Sequence, residues 1–543
     1  MGPLESSKIF RFVLTISLVL GFGTSLAQAA FVVPGLPGAA DSDGLDLAQR
    51  AHINHPSHLH KSAPSQEQLQ LSLDDAFSRV GKELSIPPRL KETVWFWSRI
   101  YSEFSSLQIV LHDDLHPELI YDVVDLRPIQ EKAKSPYAFS RLRIRAITQA
   151  HRRFDRAFLL LERSKTPAAR TRLRKKNSEV EKILIAHEKL DKKHRRHSWK
   201  AFREQLHLQP GLREHVIRGI LDIDPYLPEM ESIFEEFRIP SPLVRIALVE
   251  SSFNLDAISK VGATGVWQFM PDSGREFLRV NQPKGIDERL SPLKSTVAAA
   301  RLLYRNKFML KNWPLAITAY NHGFTGLIGR KIRRLKPDEV FKLFELCNDA
   351  SPLGWASRNY FSEFLAMVHV EAYRDILLGL PDRRPGKALA IRFHPLESAQ
   401  SPAAFAVSNN IPYIDFRKLN PEIKDFHKTL PKGFFLVVPA NQGPRGKGGD
   451  SLRKFQAPKQ ALLNTARLRR VPSAREGSAL KKRVYSGANR LVSSTRPAAV
   501  QRSKLSTRSQ TAGLRGRDVA RERSRKSREP ASLQAQYPWL FAR

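Results

Sequence analysis

Ser241-Pro242-Leu243-Val244-Arg245-Ile246-Ala247-Leu248-Val249-Glu250-Ser251-Ser252-Phe253-Asn254 sets one carboxyl group at the end of an apolar run. A Ser followed by Pro at the first helical position is a helix start signal, and the run behind it predicts a buried helix with Glu250 at its inner end. A carboxyl packed against Ile246, Ala247 and Val249 loses the hydration that favours its charged form. Its pKa should rise, leaving a group able to give up a proton near neutrality, as a general acid must. Taken alone, a Glu paired with a buried Arg explains this position equally well.

The segments that follow narrow the choice. Gly262 and Gly265, in Gly262-Ala263-Thr264-Gly265-Val266-Trp267-Gln268-Phe269-Met270-Pro271, let backbone approach a ligand closely. Trp267 and Gln268 offer a stacking face and an amide of the kind that holds sugars. A second helix is expected from near Ser295, carrying Val297, Ala298, Ala300, Arg301, Leu302 and Tyr304. Trp313-Pro314 restarts a short helix that ends at Ala319-Tyr320-Asn321-His322-Gly323, so the phenol and amide fall at a helix end facing a cleft. Each segment alone is ordinary packing; in this order they are specific.

In this order, over residues 228–373, the chain resembles the lytic murein transglycosylases of glycoside hydrolase family 23, most closely the D-type membrane-bound enzymes. The family's Glu-Ser pair falls on Glu250-Ser251, and its Gly-Leu-Met/Trp-Gln segment on Gly265-Val266-Trp267-Gln268, followed by Phe269-Met270-Pro271 as in the D-type enzymes. Its Ala-Tyr-Asn motif falls on Ala319-Tyr320-Asn321, and its acidic-Arg stretch on Asp287-Glu288-Arg289 ahead of the Ala-rich helix. The Glu-Thr-Arg-x-Tyr motif is kept in part: Ala356-Ser357-Arg358-Asn359-Tyr360 has the Arg and Tyr but lacks the Glu. After Asn321 the family prefers Gly and Glu, where this chain has His322-Gly323-Phe324-Thr325-Gly326.

The resemblance implies a lysozyme-like helical domain and one carboxyl group used twice. Glu250 would protonate the glycosidic oxygen between N-acetylmuramic acid and N-acetylglucosamine, then take the proton of the C6 hydroxyl. The substrate's 2-acetamido group would stabilise the developing cation, and a 1,6-anhydro sugar would result without water. Ser251, Gln268, Tyr320, Asn321 and Tyr360 are the implied substrate-binding residues. Asp256, Asp272 and Asp287, among the nearest acids, are read as structural. No cofactor and no metal is implied. Two alternatives stay open: a goose-type lysozyme or chitinase-like hydrolase acting on the same bond, and a non-catalytic glycan-binding scaffold.

The rest of the chain fits an exported, cell-envelope protein. Lys8 and Arg11 precede an apolar run at 12–22, and Ala27-Gln28-Ala29 supplies a cleavage pattern, so residues 1–29 read as a signal peptide. A periplasmic or otherwise exported location with no transmembrane helix in the mature chain follows. The single cysteine, Cys347, leaves no lipoprotein cysteine and no intramolecular disulfide. Residues 30–80, rich in Pro, Gly, Ser and His, read as a linker, and His52, His55, His58 and His60 as a solvated tract rather than a metal site. Residues 81–225 read as a helical region, with Val94, Trp95, Trp97, Ile100 and Tyr101 at helical spacing and a basic, solvated helical pair at 141–203. Residues 226–382 form the expected transglycosylase domain. A small α+β module at 390–440, with extended ends around a helix at 403–407, resembles a degenerate LysM glycan-binding repeat. The Leu419-Asn420-Pro421 string and the closing 433–439 strand carry that likeness, and the usual Gly-Asp-Thr is missing. The expected class is thus mainly α with disordered termini, and the expected partners are peptidoglycan glycan strands.

Residues 441–543 carry 25 Lys and Arg against five Asp and Glu, more than half of the chain's formal net charge of +36. Before Tyr537-Pro538-Trp539-Leu540-Phe541 they offer few large apolar side chains, so the segment is expected to be a disordered basic tail that binds polyanions. In an exported protein these are lipopolysaccharide, anionic headgroups and the carboxylates of peptide stems; nucleic acid is not an expected partner. A solubilising tail is the alternative. If the tail binds by charge, deleting 441–543 lowers retention on whole sacculi at low salt and leaves cleavage of short soluble glycans unchanged, and the retention of the full chain falls as salt rises. Pull-downs of both proteins across a salt series check this; equal retention throughout would make the tail a passive extension.

Overall fold

The computed structural model describes residues 63–190, 198–327, 335, 337–345, 353–382 and 389–441. The expected signal peptide, the histidine tract, Cys347 and the basic tail lie outside the described residues. Among the described residues no helix is long and apolar enough to cross a membrane.

Helix α1 (Gln66–Leu73) corrects the linker boundary, since it lies inside the span read as linker up to residue 80. Ser65 and Gln68 form a reciprocal capping box, and Leu69 and Leu73, four residues apart, are buried in the main core. The Pro, Ser and His bias just before it hides this signal. Asp75 then takes the amides of Arg79 and Val80 and the hydroxyl of Tyr373, closing the turn onto a distant helix.

Residues 81–225 also differ from the all-helical expectation. Helix α2 (Lys91–Ser102) leads into β1 (Gln108–Asp113) and β2 (Ile120–Asp125), and after α3 (Pro136–Arg163) and α4 (Ser178–Glu188) the chain returns as β3 (Leu206–Pro210). The antiparallel order is β2-β1-β3, with Val110 opposite Val123 on one side and Gln209 on the other. Ile109, Val110 and Leu111 are all buried, so β1 lacks the alternation that marks a one-sided strand. A short apolar run of this kind cannot be told from a buried helix by period. On α3, Ile147, Ala150, Phe154, Ala157, Phe158 and Leu161 face inward and the dense basic residues lie on the other faces, as the sequence pattern required.

The region around Glu250 is built by α5 (Arg213–Ile223), α6 (Leu227–Glu236), a 3-10 turn (Ser241–Arg245) running into α7 (Ile246–Ser251), α8 (Pro292–Leu310), α9 (Trp313–His322) and α10 (Trp355–Ala372). Every residue of α10 from Ser357 to Glu371 is buried. Trp97 Nε1 on α2 donates to Asn359 Oδ1 on α10 at 3.1 Å. Leu69, Trp97, Ile220, Val249 and Phe364 belong to one continuous core, so packing does not stop at residue 225.

The module at its end pairs β4 (Ile391–Pro395) antiparallel with β5 (Phe435–Pro439) around α11 (Pro402–Ser408) and α12 (Tyr413–Leu419). Its second helix was not read from the sequence. Asn420 in the Leu-Asn-Pro string bonds both the amide and the carbonyl of Val437, stitching α12 to β5. The module is fixed to the larger domain: the fully buried Lys294 on α8 reaches Glu422 at 2.6 Å and Glu288 at 3.5 Å and sits over the Phe434 ring. Backbone bonds from Asp287 to Glu422 and from Lys424 to Gly285 complete the seam. Removing the cation leaves two buried carboxylates uncompensated, so Lys294→Met should cost about 3 to 5 kcal/mol of stability, measured by denaturant unfolding.

Candidate functional site

Glu250 stands in the last turn of α7. Pro242 opens the 3-10 turn, although Ser241 makes no side-chain cap, and α7 ends because Ser252 and Phe253 take left-handed backbone at φ 49° and 52°. Helix geometry thus presents the carboxyl at an inner terminus, 7% exposed. The buried arginine that could have paired with it, Arg245, is bound instead to Glu371 at 3.0 Å and to Glu231. Among the described residues Glu250 has no cationic partner, and Tyr360 Oη on α10 donates a hydrogen bond to its Oε1. Burial pushes its pKa up from 4.5 to about 7, against the opposing pull of the Tyr360 bond.

The Gly262–Gln268 loop is held carbonyl by carbonyl. Gln268 Nε2 donates to Gly265 O at 2.8 Å, Ser251 Oγ to Val266 O at 3.0 Å, and Tyr320 Oη to Trp267 O at 2.8 Å. Arg289, paired with Asp287, adds bonds to the carbonyls of Gly262 and Phe269. Gly265 is required by packing rather than by a ligand: at φ 78°, a Cβ there would lie 1.9 Å from Arg289 O. Trp267 corrects the expectation of a sugar-stacking face. It is fully buried, stacks on Phe234 with centroids 5.7 Å apart, and its Nε1 donates to Thr296 Oγ1. The apolar demand of the core takes its ring, and its backbone alone reaches the loop.

Tyr320 and Tyr360 both feel the charge of Glu250, and burial with that charge raises each phenol well above its usual range. Asn321, at the end of α9, accepts from Ser357 Oγ at 3.1 Å, which ties it to the start of α10. His322 Nδ1 lies 3.0 Å from the same hydroxyl.

Two neighbours were not read from the sequence as part of the site. Glu363 on α10 is 3% exposed, and burial first, the charge of Glu250 second, push it up to about 8. Tyr101 on α2 is raised by burial and then by Glu363 and Glu250. Neither lies in a motif; the three-residue step from Tyr360 to Glu363 was the one available signal. Among the described residues no group of three His, Cys, Asp or Glu stands together to hold a metal ion.

Residues 235–339 match the family described as Transglycosylase SLT domain. The membrane-bound lytic murein transglycosylase D of Escherichia coli (strain K12) is 27% identical over 268 residues, covering 48% of this chain and 57% of the relative. The protein of the same name from Escherichia coli O6:H1 gives the same figures. The chain therefore spans little more than half the length of these relatives. Residues 235–339, which include Glu250 and the clamped loop, thus match the transglycosylase SLT domain, and the chain is similar over about half its length to the membrane-bound lytic murein transglycosylase D of Escherichia coli.

Proposed function

We propose that the chain is a lytic transglycosylase that cleaves the β-1,4 bond between N-acetylmuramic acid and N-acetylglucosamine in peptidoglycan without water, leaving 1,6-anhydro ends. The observation that carries it is Glu250: a buried carboxyl without a cation, brought to about 7 by burial and oriented by Tyr360. A group with that pKa is protonated often enough to act as the acid and ionised easily enough to act next as the base. Glu250 protonates the leaving oxygen, the substrate's acetamido oxygen stabilises the cation, and Glu250 then removes the C6 hydroxyl proton. Tyr360 holds one carboxyl oxygen so that the other faces the sugar. Ser251, Gln268 and Tyr320 shape the cleft through the loop carbonyls they bind, and Asn321 reaches the acetamido group from the end of α9. The exported location follows from the 1–29 signal, and the 390–440 module adds weak glycan contact as a LysM-like unit.

Glu363 is the observation on which a two-carboxylate hydrolase would rest. Product masses separate the two, because a hydrolytic product carries a reducing end and is heavier by one water. Glu250→Gln should abolish release of anhydro products from purified peptidoglycan while glycan binding persists; turnover above trace would remove Glu250 from the acid and base roles. The wild-type rate should fall as pH rises above about 7, where Glu250 loses the proton it must donate.

The same burial has a stability signature. A carboxyl raised from 4.5 to about 7 binds its proton more tightly folded than unfolded, so stability is lost as pH climbs between those values. At about 1.4 kcal/mol per unit, the wild type should lose about 3 kcal/mol across that range. Glu250→Gln should therefore be close to wild type in stability at pH 4 and gain over it up to pH 7 and beyond. Thermal melts of both proteins across this range check the sign.

A further inference from the structure

Behind the Tyr360–Glu250 pair stands a polar group that the cleavage chemistry leaves unused. The contact between α2 and α10 can be followed turn by turn. Trp97 Nε1 donates to Asn359 Oδ1 at 3.1 Å, and one turn further along each helix come Tyr101 and Glu363. On α10, Glu363 follows Tyr360 by three residues, the step that stacks side chains on one helix face. Tyr360 in turn is bonded to Glu250. Glu363 is 3% exposed and Tyr101 1%. The Tyr101 hydroxyl has no hydrogen-bond partner among the described residues, and the Glu363 carboxyl likewise makes none there.

The other charged and titratable groups against α10 are engaged elsewhere. Arg245 pairs with Glu371 and Glu231, Arg358 lies beside Asp114, His322 meets Ser357, and His369 meets the carbonyls of Ser72 and Leu84. Glu363 is left interacting with Glu250, Tyr360 and Tyr101, and with no cation among the described residues. Two carboxyl groups that share a buried volume without a cation resist ionising together, and their protons belong to the pair.

We propose that Glu363 is a positioning residue for cleavage: a carboxylic acid kept neutral behind Tyr360, which confines the buried pair to a single negative charge and leaves Glu250 as the group that gives and takes the proton. This rests on Glu250 being the acid and base of the reaction. The order of titration fits, with Glu250 at about 7 and Glu363 at about 8. Tyr101, buried on α2, feels the charge of both carboxyl groups, so the region before residue 226 contributes to the same buried surroundings.

Carbon NMR of the full chain labelled at its glutamate carboxyls, in wild type, Glu250→Gln and Glu363→Gln, tests the proposal. Wild type should show two coupled transitions in the range set by the two values above. In Glu250→Gln the Glu363 transition should move to lower pH, because the Glu250 charge no longer opposes its ionisation. In Glu363→Gln one transition should remain, and the alkaline limb of the cleavage rate, spread over two protons in wild type, should become a one-proton curve. An unmoved Glu363 transition in Glu250→Gln would overturn the coupling, and superimposable rate curves for Glu363→Gln and wild type would overturn the role in cleavage. The Glu250→Gln titration needs no turnover and decides the coupling even if Glu363→Gln fails to fold. Failure of the transglycosylase assignment would appear in the product masses, not in the titration.

Discussion

A carboxyl group buried without a cation is the constraint around which the rest of the domain is arranged. Glu250 sits on an apolar helix, and the one arginine in its own turn of chain is taken by Glu231 and Glu371. Had Arg245 paired with Glu250, the carboxylate would have been held ionised and unable to donate a proton. Diverting that guanidinium to two other acids keeps Glu250 close to neutral. Among the described residues, Tyr360 then supplies the one hydrogen bond that orients it. The cost is stability lost as pH rises from 4.5 to about 7, a common exchange at sites that hold a proton in reserve.

Orientation of that carboxyl depends on α10, and α10 depends on the whole chain. It is buried along nearly its entire length, against α2 on one side and α7 and α9 on another. The N-terminal region is thus part of the scaffold of the site rather than a separate domain tethered to it. The seam at Lys294 extends the same rigidity to the C-terminal module, which shares a buried cation and backbone bonds with the loop that carries Asp287 and Arg289. Because Arg289 also clamps the Gly262–Gln268 loop, the module and the loop are mechanically linked.

Several motif residues act one step removed from where a motif-based view sets them. Ser251, Gln268 and Tyr320 spend hydrogen bonds on three successive carbonyls of one loop. Their spacing in the sequence fits the need to fix a tight turn containing Gly265 and the left-handed Gln268. Trp267 makes the same point: its ring is core, and its carbonyl is what meets Tyr320.

Local sequence determined the helix ending at Glu250, the helices beginning near Ser295 and at Trp313, the inward stripe of α3 and the extended ends of the small module, because each depends on capping residues and side-chain period within a few turns. It also singled out Glu250, Tyr320 and Tyr360 by residue type and order; the structure sets Tyr360 on the Glu250 carboxyl and Tyr320 on the Trp267 carbonyl. Tertiary structure alone decided the β2-β1-β3 sheet, whose central strand is buried on both faces and finds its second partner only after several intervening helices. It likewise decided that Arg245 would turn to Glu371, that Trp267 would face the core, and that Glu363 and Tyr101 would be buried within reach of the Glu250 charge. These outcomes follow from which helices pack together, and the charge balance of a buried site is a sum over contacts between residues more than a hundred positions apart in the chain, which no local pattern records.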